Sequence, residues 1–320
     1  MIERAIGDAK VTAIGAGDVR FALAAARGID RREVERALHH ALELGITFVD
    51  ASEEPDAERA CGEAVRALRL RDRAIIATRV IAIEKVVRDT LPERLPPAYV
   101  QERIEASLRT TKLDVLPLAQ IPMRVGWLES RAWPELVGML AKLVQEGKVL
   151  RWGAILDDAD GHAAFAEPFV SLQMRFNACQ APTLATKLTV LAREPLAGAA
   201  LAGTLGPGVR LAPRDDRHLL DDAELERIAV TIAMLAPSVR HEPPAAQSCK
   251  PARAARERTP RPPAVDVGTV AELALRYVID RNTIALPRLH RYQHVLEAIV
   301  AVTSPRLPDA LHARLDELFA

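Results

Sequence analysis

The chain has 320 residues, and its 43 lysines and arginines balance 43 aspartates and glutamates. That balance excludes long-range capture of nucleic acid or an anionic membrane and leaves any anionic ligand to local charge. Three widely spaced cysteines, Cys61, Cys179 and Cys249, share no C-x-x-C spacing. They argue against a disulfide framework and a zinc site and point to a cytoplasmic protein; with no apolar signal core in MIERAIGDAK and no long apolar run, no membrane association is expected.

In chain order, short β-branched runs alternate with helical periodicity. VTAIGAG (11–17) reads as a strand, followed by a helix over 31–44, the strand TFVDAS (47–52), a helix over 57–68 and the strand AIIATRV (74–80). The alternation continues with a helix over 98–110, VLPLAQI (115–121), a helix over 131–146, VLRWGAI (149–155), a short helix over 160–166 and VSLQMR (170–175). Then come a helix over 181–187, LTVLARE (188–194), helices over 222–235 and 268–280, TIALPR (283–288), and helices over 292–301 and 308–319.

Strands apolar on both faces, joined by helical crossovers, predict a parallel α/β sheet. Closure removes the edges, so a single-domain (β/α)8 TIM barrel spanning 1–320 is preferred to an open doubly wound sheet. The G-x-G-x-x-G fingerprint of a dinucleotide-binding sheet is absent, since Gly15-Ala16-Gly17 is followed by Asp18 and Val19. One segment breaks the alternation. Residues 238–266 hold six prolines and six basic residues but few large apolar side chains, and read as a disordered surface insertion or a docking tail.

Several blocks, in order, resemble the aldo-keto reductase family: KVTAIGAG, ALELGITFVDAS, RDRAIIATRV, IEASLRTTKLDVLPLAQIP, LVQEGKVLRWGAI, SLQMRFN, LAREPLAGAALAGTLGPG and ELALRYVIDRNTIALPRLHRYQHVLEAI. The resemblance implies a TIM barrel whose strand C-termini hold NADP(H), which gives a hydride to a carbonyl carbon. It also implies a four-residue site: a tyrosine proton donor, a lysine and a buried aspartate that tune it, and a histidine that orients the carbonyl.

Against that pattern the chain keeps Asp50 and changes the rest. The tyrosine position, five residues on, is Pro55, which has no ionisable group. The lysine position is Arg79, whose guanidinium keeps the charge but holds its proton. The histidine position is Pro122. Glu53, Glu54 and Asp56 are the nearby titratable substitutes. Tyr292 is the tyrosine expected nearest the rim, Tyr99 and Tyr277 lie on helices, and His162 and His218 are loop histidines.

The expected cofactor contacts are also mixed. Ile155 and Leu156 stand where the family carries a Ser-Asn pair that binds the nicotinamide carboxamide. Gln173 matches the remaining carboxamide contact, or is a buried amide satisfied by backbone. Pro195, Leu196 and Gly198 resemble the loop against the pyrophosphate, and Asp215–His218 the segment over the dinucleotide. Arg288, His290 and Arg291, beside a helix start, make an anion site or a basic rim, while Asp18 adds a negative charge where the family often has threonine.

These residues predict an NADP(H) site that is weakened and a reduction site that is dismantled. The reading they favour is a pseudoenzyme that binds a nucleotide or other small molecule at the barrel mouth, or a protein partner. A working reductase with another proton donor, or a non-redox enzyme using Asp50, Glu53, Glu54 and Asp56, stays open beside it.

Overall fold

The computed structural model describes residues 1–83, 90–157, 161–203, 211, 221–239 and 268–317. Seven strands run parallel in sequential order: β3 (Phe48–Asp50), β4 (Ile75–Arg79), β5 (Leu118–Pro122), β6 (Trp152–Ile155), β7 (Phe169–Arg175), β8 (Thr189–Arg193) and β9 (Ile284–Leu286). Residues 13–17 close the ring as the eighth staves do in such barrels, bridging in parallel from Ile14 to Ala285 of β9 and from Ala16 to Val49 of β3. The result is the predicted (β/α)8 barrel, a fold whose functional sites gather at the strand C-termini.

The seam explains the paired glycines. A Cβ on Gly17 would lie 2.2 Å from the Leu286 carbonyl oxygen, and one on Gly15 would lie 2.8 Å from the Phe48 ring. Their role is close backbone approach between strands, which only glycine permits.

The helices follow the amphipathic pattern that predicted them. In α2 (Arg31–Glu43), Val34, Ala37, Leu38, Ala41 and Leu42 form one buried stripe, and the Asp30 carboxylate caps the Arg32 N–H at 2.7 Å. The other helices of the barrel wall are α3 (Pro55–Ala67), α5 (Pro97–Thr111), α6 (Trp133–Gln145), α7 (Asp222–Leu235), α8 (Val270–Asp280) and α9 (Tyr292–Thr303), with α10 (Asp309–Glu317) after them. Capping boxes start α7 at Asp221 and Glu224 and α8 at Thr269 and Glu272. Two short helices, α1 (Phe21–Ala26) and α4 (Leu91–Arg94), complete the set.

The structure departs from the sequence expectation at three places. The first predicted strand divides, because β1 (Glu3–Ile6) and β2 (Ala9–Thr12) pair as an antiparallel hairpin before residues 13–17 enter the barrel. Ile6 and Val11 of this hairpin join the interior cluster of Phe48, Ile75, Ala77, Leu118, Leu191, Ile284 and Leu286, so it plugs the barrel floor. No helix forms over 181–187: Pro182 interrupts the backbone pattern, and the Ala185 N–H donates instead to His162 Nε2 at 3.0 Å. The helix expected over 160–166 is a single 3-10 turn, His162–Ala164.

Residues 240–267, most of the Pro/Arg-rich segment, lie outside the described residues, as do Asp215–His218 and Cys249. Cys61 and Cys179 carry free thiols. No helix among the described residues is long and apolar enough to cross a membrane.

Candidate active site

Inward-facing alternation along β3, β4 and β7 brings Asp50, Arg79 and Gln173 together at the barrel mouth. Arg79 Nη2 donates to Asp50 Oδ2 at 2.6 Å, and Gln173 Nε2 donates to the same oxygen at 2.7 Å. The other carboxylate oxygen, Oδ1, accepts the Ser52 N–H at 3.0 Å. All three side chains are buried. Asp50 and Arg79 therefore form a pair, with Gln173 as its third member.

Arg79 is also shared with two further carboxylates. Its Nη2 lies 3.1 Å from Asp18 Oδ1 and its Nη1 3.4 Å from Glu53 Oε2. Burial alone would lower the guanidinium pKa, but Asp50, Asp18 and Glu53 together raise it above the ordinary arginine value. A proton on Arg79 is held still more firmly than usual, the opposite of what a proton relay requires.

Where the resemblance expects a donor, Pro55 is the exposed first residue of α3, a position that suits its fixed φ and missing N–H. Pro122 ends β5 and is buried opposite Ile155. Of the three acidic substitutes, only Glu53 reaches Arg79. The Glu54 carboxylate accepts the Phe21 N–H at 3.1 Å, and Asp56 pairs with Arg31 and Arg59 at the surface. The four acids thus do not form a carboxylate cluster.

None of the three tyrosines joins the pair. Tyr99 Oη lies 3.5 Å from the Val80 carbonyl, Tyr277 Oη donates to Asp316 at 2.6 Å, and Tyr292 is exposed with its ring against His40. His162 bonds Ala185 in a crossover, away from Asp50.

The expected nicotinamide face is apolar at Ile155 and Leu156, both buried. Gln173 Oε1 is a buried acceptor without a protein partner among the described residues. Nearby, Arg193 at the end of β8 reaches across the mouth to the Leu156 carbonyl at 3.2 Å and the Asp157 carbonyl at 2.9 Å. Its burial lowers its pKa, with Glu194 opposing that effect.

Backbone strain concentrates on this rim. Asp18, Ser52, Glu194, Ala197 and Ala199 take positive φ values of 47°, 56°, 55°, 47° and 76°, each costing on the order of 1–2 kcal/mol for a residue with a Cβ. The loop after β8 carries three of them, with Gly198 at 65°. Within that loop Pro195 is buried and Leu196 half-buried.

The last predicted block splits in its behaviour. Arg288 turns inward, donating from Nε and Nη2 to Asp18 Oδ2 at 3.0 and 2.8 Å. His290 is buried, and Arg291 is exposed and paired with Glu33. Burial first, then the positive charges of Arg288, Arg27 and His294, push the His290 imidazole down to about 3, with Asp18 opposing them. His294, on the first turn of α9, is lowered by burial and by Arg291 and Arg27. Burial is the larger cause of both shifts, and Arg288, Arg27 and Arg291 add positive charge near the α9 N-terminus.

Asp18, expected to add a negative charge beside the cofactor, is not an isolated one. It is instead a hub: Arg20 Nε donates to its Oδ1 at 2.8 Å, beside Arg79 and Arg288. Burial raises its pKa, but the three guanidinium groups overcome this and hold the carboxyl well below the ordinary range. The reach of Arg193 was likewise missed. The available signal was compositional, an arginine at the C-terminal end of each of two inward-facing strands together with an acid in the first strand's loop.

Residues 13–320 match the family model described as Aldo/keto reductase family, and the chain belongs to that family. Methylglyoxal reductase YeaE of Escherichia coli is 32% identical over 158 residues, a stretch covering 48% of this chain and 49% of the relative, so the match spans about half of that protein. Among solved structures, a Klebsiella pneumoniae aldo/keto reductase in complex with NADP and acetate superposes with a TM-score of 0.62 at 23% identity, covering 97% of this chain and 92% of the other. A glycerol dehydrogenase from Gluconobacter oxydans superposes with a TM-score of 0.71 at 19% identity, covering 99% and 95%. At those identities the structural likeness speaks to the fold.

Proposed function

We propose that this member of the family binds a nicotinamide dinucleotide at the barrel mouth and does so without efficient carbonyl reduction. The observation that carries the reading is the closure of the Asp50–Arg79 pair by Gln173, Asp18 and Glu53, with neither a phenol nor an imidazole in contact with it. A nicotinamide dinucleotide, when bound, supplies a hydride; the protein must supply the matching proton. General acid catalysis contributes about 10²–10⁴-fold to such transfers, and that is the factor this mouth forgoes.

The residues present fit the dinucleotide in part. Gln173 Oε1 offers an acceptor to a carboxamide N–H. The strained loop around Gly198 and the start of α9, with Arg27 and Arg291 nearby, suit phosphate groups. Ile155 and Leu156 offer only alkyl side chains, so a second carboxamide contact is lost, at about 1–3 kcal/mol if its polar group is left unpaired.

The test is titration of NADPH and NADP⁺ into the purified protein by fluorescence, followed by NADPH oxidation assays with 4-nitrobenzaldehyde and methylglyoxal. Binding without carbonyl-dependent oxidation is expected. The second substrate is chosen because the Escherichia coli relative is named for its reduction.

A second reading rests on Glu53, the one substitute acid that reaches Arg79, at 3.4 Å. It makes the protein a working reductase with a carboxylic-acid donor, and predicts turnover that Glu53→Gln abolishes while leaving NADPH binding intact.

A further inference from the structure

Three guanidinium groups converge on one buried carboxylate at the mouth. Asp18 Oδ1 accepts from Arg20 and Arg79, and Asp18 Oδ2 takes both donors of Arg288. The carboxylate is carried on a fixed stretch of backbone: the Gly17 N–H donates to the Pro287 carbonyl at 2.9 Å, the Val19 N–H to the Asp50 carbonyl at 2.9 Å, and Ser52 Oγ to the Val19 carbonyl at 3.0 Å. Asp18 itself holds a positive φ of 47° between those tethers. A charge held this firmly is preorganised rather than incidental, since a side chain on tethered backbone loses little entropy in making its bonds.

The consequence concerns which ligands the mouth accepts. Arginines meeting at a barrel rim ordinarily make an oxyanion site. Here a resident oxyanion already takes the Arg288 fork, just before the start of α9. A phosphate arriving there must displace Asp18 or share a guanidinium with it, and a carboxylate next to a phosphate is a like-charge contact. We propose that Asp18 is a specificity determinant that competes with phosphate for Arg288, so that a ligand that would place a phosphate on Arg288 is discriminated against relative to its counterpart without that phosphate. This deepens the dinucleotide reading and rests on it only for the identity of the natural ligand.

The probe that separates the two is inorganic phosphate, titrated calorimetrically at constant ionic strength. Asp18→Asn keeps the shape of the side chain and removes its charge. It should bind phosphate about tenfold more tightly than the natural protein, the gain from roughly one freed charge-assisted contact, and the gain should vanish in Asp18→Asn/Arg288→Met. Equal phosphate affinity in Asp18→Asn and the natural protein would overturn the proposal. Arg288→Met alone leaves Asp18 paired with Arg20 and Arg79 and gives a reading even if Asp18→Asn does not fold: the competition predicts a loss of phosphate affinity well under the roughly tenfold that an unhindered charge-assisted contact is worth, and a loss of about tenfold or more overturns it. NADPH and NADH titrations on the same proteins then report on the dinucleotide reading, because loss of all nucleotide binding would end that reading while leaving the phosphate comparison standing.

Discussion

Arg79 Nη2 sits 2.6 Å from Asp50 Oδ2, and both side chains are wholly shielded from solvent. Two features of the molecule follow from this one contact. It joins the ends of adjacent strands β3 and β4, and it fixes a firmly protonated guanidinium at the barrel mouth. Removing one member of a buried pair leaves the other charge uncompensated, so Arg79→Met should cost about 3–5 kcal/mol of stability. Arg79→Lys, which keeps the charge and loses the fork, should cost less than half as much. Urea unfolding followed by circular dichroism checks both.

Gln173 bonds Asp50 with its nitrogen and leaves Oε1 buried and without a hydrogen-bond partner among the described residues. Gln173→Leu removes a hydrogen bond to a charged group, worth about 1.5–3 kcal/mol of stability, together with the free acceptor. NADPH dissociation constants measured well below the melting temperature should rise about tenfold. An unchanged constant would show that the acceptor does not face the nucleotide.

Much of the fold was readable before any coordinates, because buried parallel strands must be continuous apolar runs and their crossovers amphipathic. TFVDAS and AIIATRV located Asp50 and Arg79 at strand ends by that logic alone. The Asp18–Arg288 bond was not readable, since it joins residues 270 apart that meet only when the barrel closes. The hairpin plug was hidden too: ERAI and AKVT alternate too briefly to mark strands. At 181–187 the apolar spacing suggested a helix, and Pro182 with the Ala185–His162 bond outweighed it.

Glu58 gives the protein a pH signature. It lies buried between α3 and α5, with Ser107 Oγ donating to its Oε1 at 2.5 Å, Arg103 3.7 Å away, and Oε2 without a hydrogen-bond partner among the described residues. Burial lifts its carboxyl from 4.5 to about 7; Ser107 and Arg103 act the other way, and Glu53 adds a small upward push. The folded protein therefore holds this proton at pH values where the unfolded chain has released it. Its contribution to stability falls as pH rises from about 4.5 to about 7 and is level above that. Glu58→Gln should flatten the pH profile over that interval and stabilise the protein at pH 8 by up to about 3 kcal/mol. Melting temperatures of the two proteins between pH 5 and pH 8 decide it.

Gly17 is the tightest point of the barrel seam, where a Cβ would meet the Leu286 carbonyl oxygen at 2.2 Å. Backbone must shift to admit it, so Gly17→Ala should cost about 1–3 kcal/mol or more and disturb Asp18, one residue on. A thermal melt at least a few degrees below that of the natural protein is the expected result, and an unchanged melt would show that the seam is looser than the geometry implies.

The account stands or falls on whether the mouth binds a dinucleotide without reducing a carbonyl. The direct measurement is a single preparation titrated with NADPH and then followed by the nicotinamide absorbance with excess 4-nitrobenzaldehyde or methylglyoxal. Saturable binding with no carbonyl-dependent loss of NADPH is the predicted result; carbonyl-dependent turnover that disappears in Glu53→Gln would contradict it.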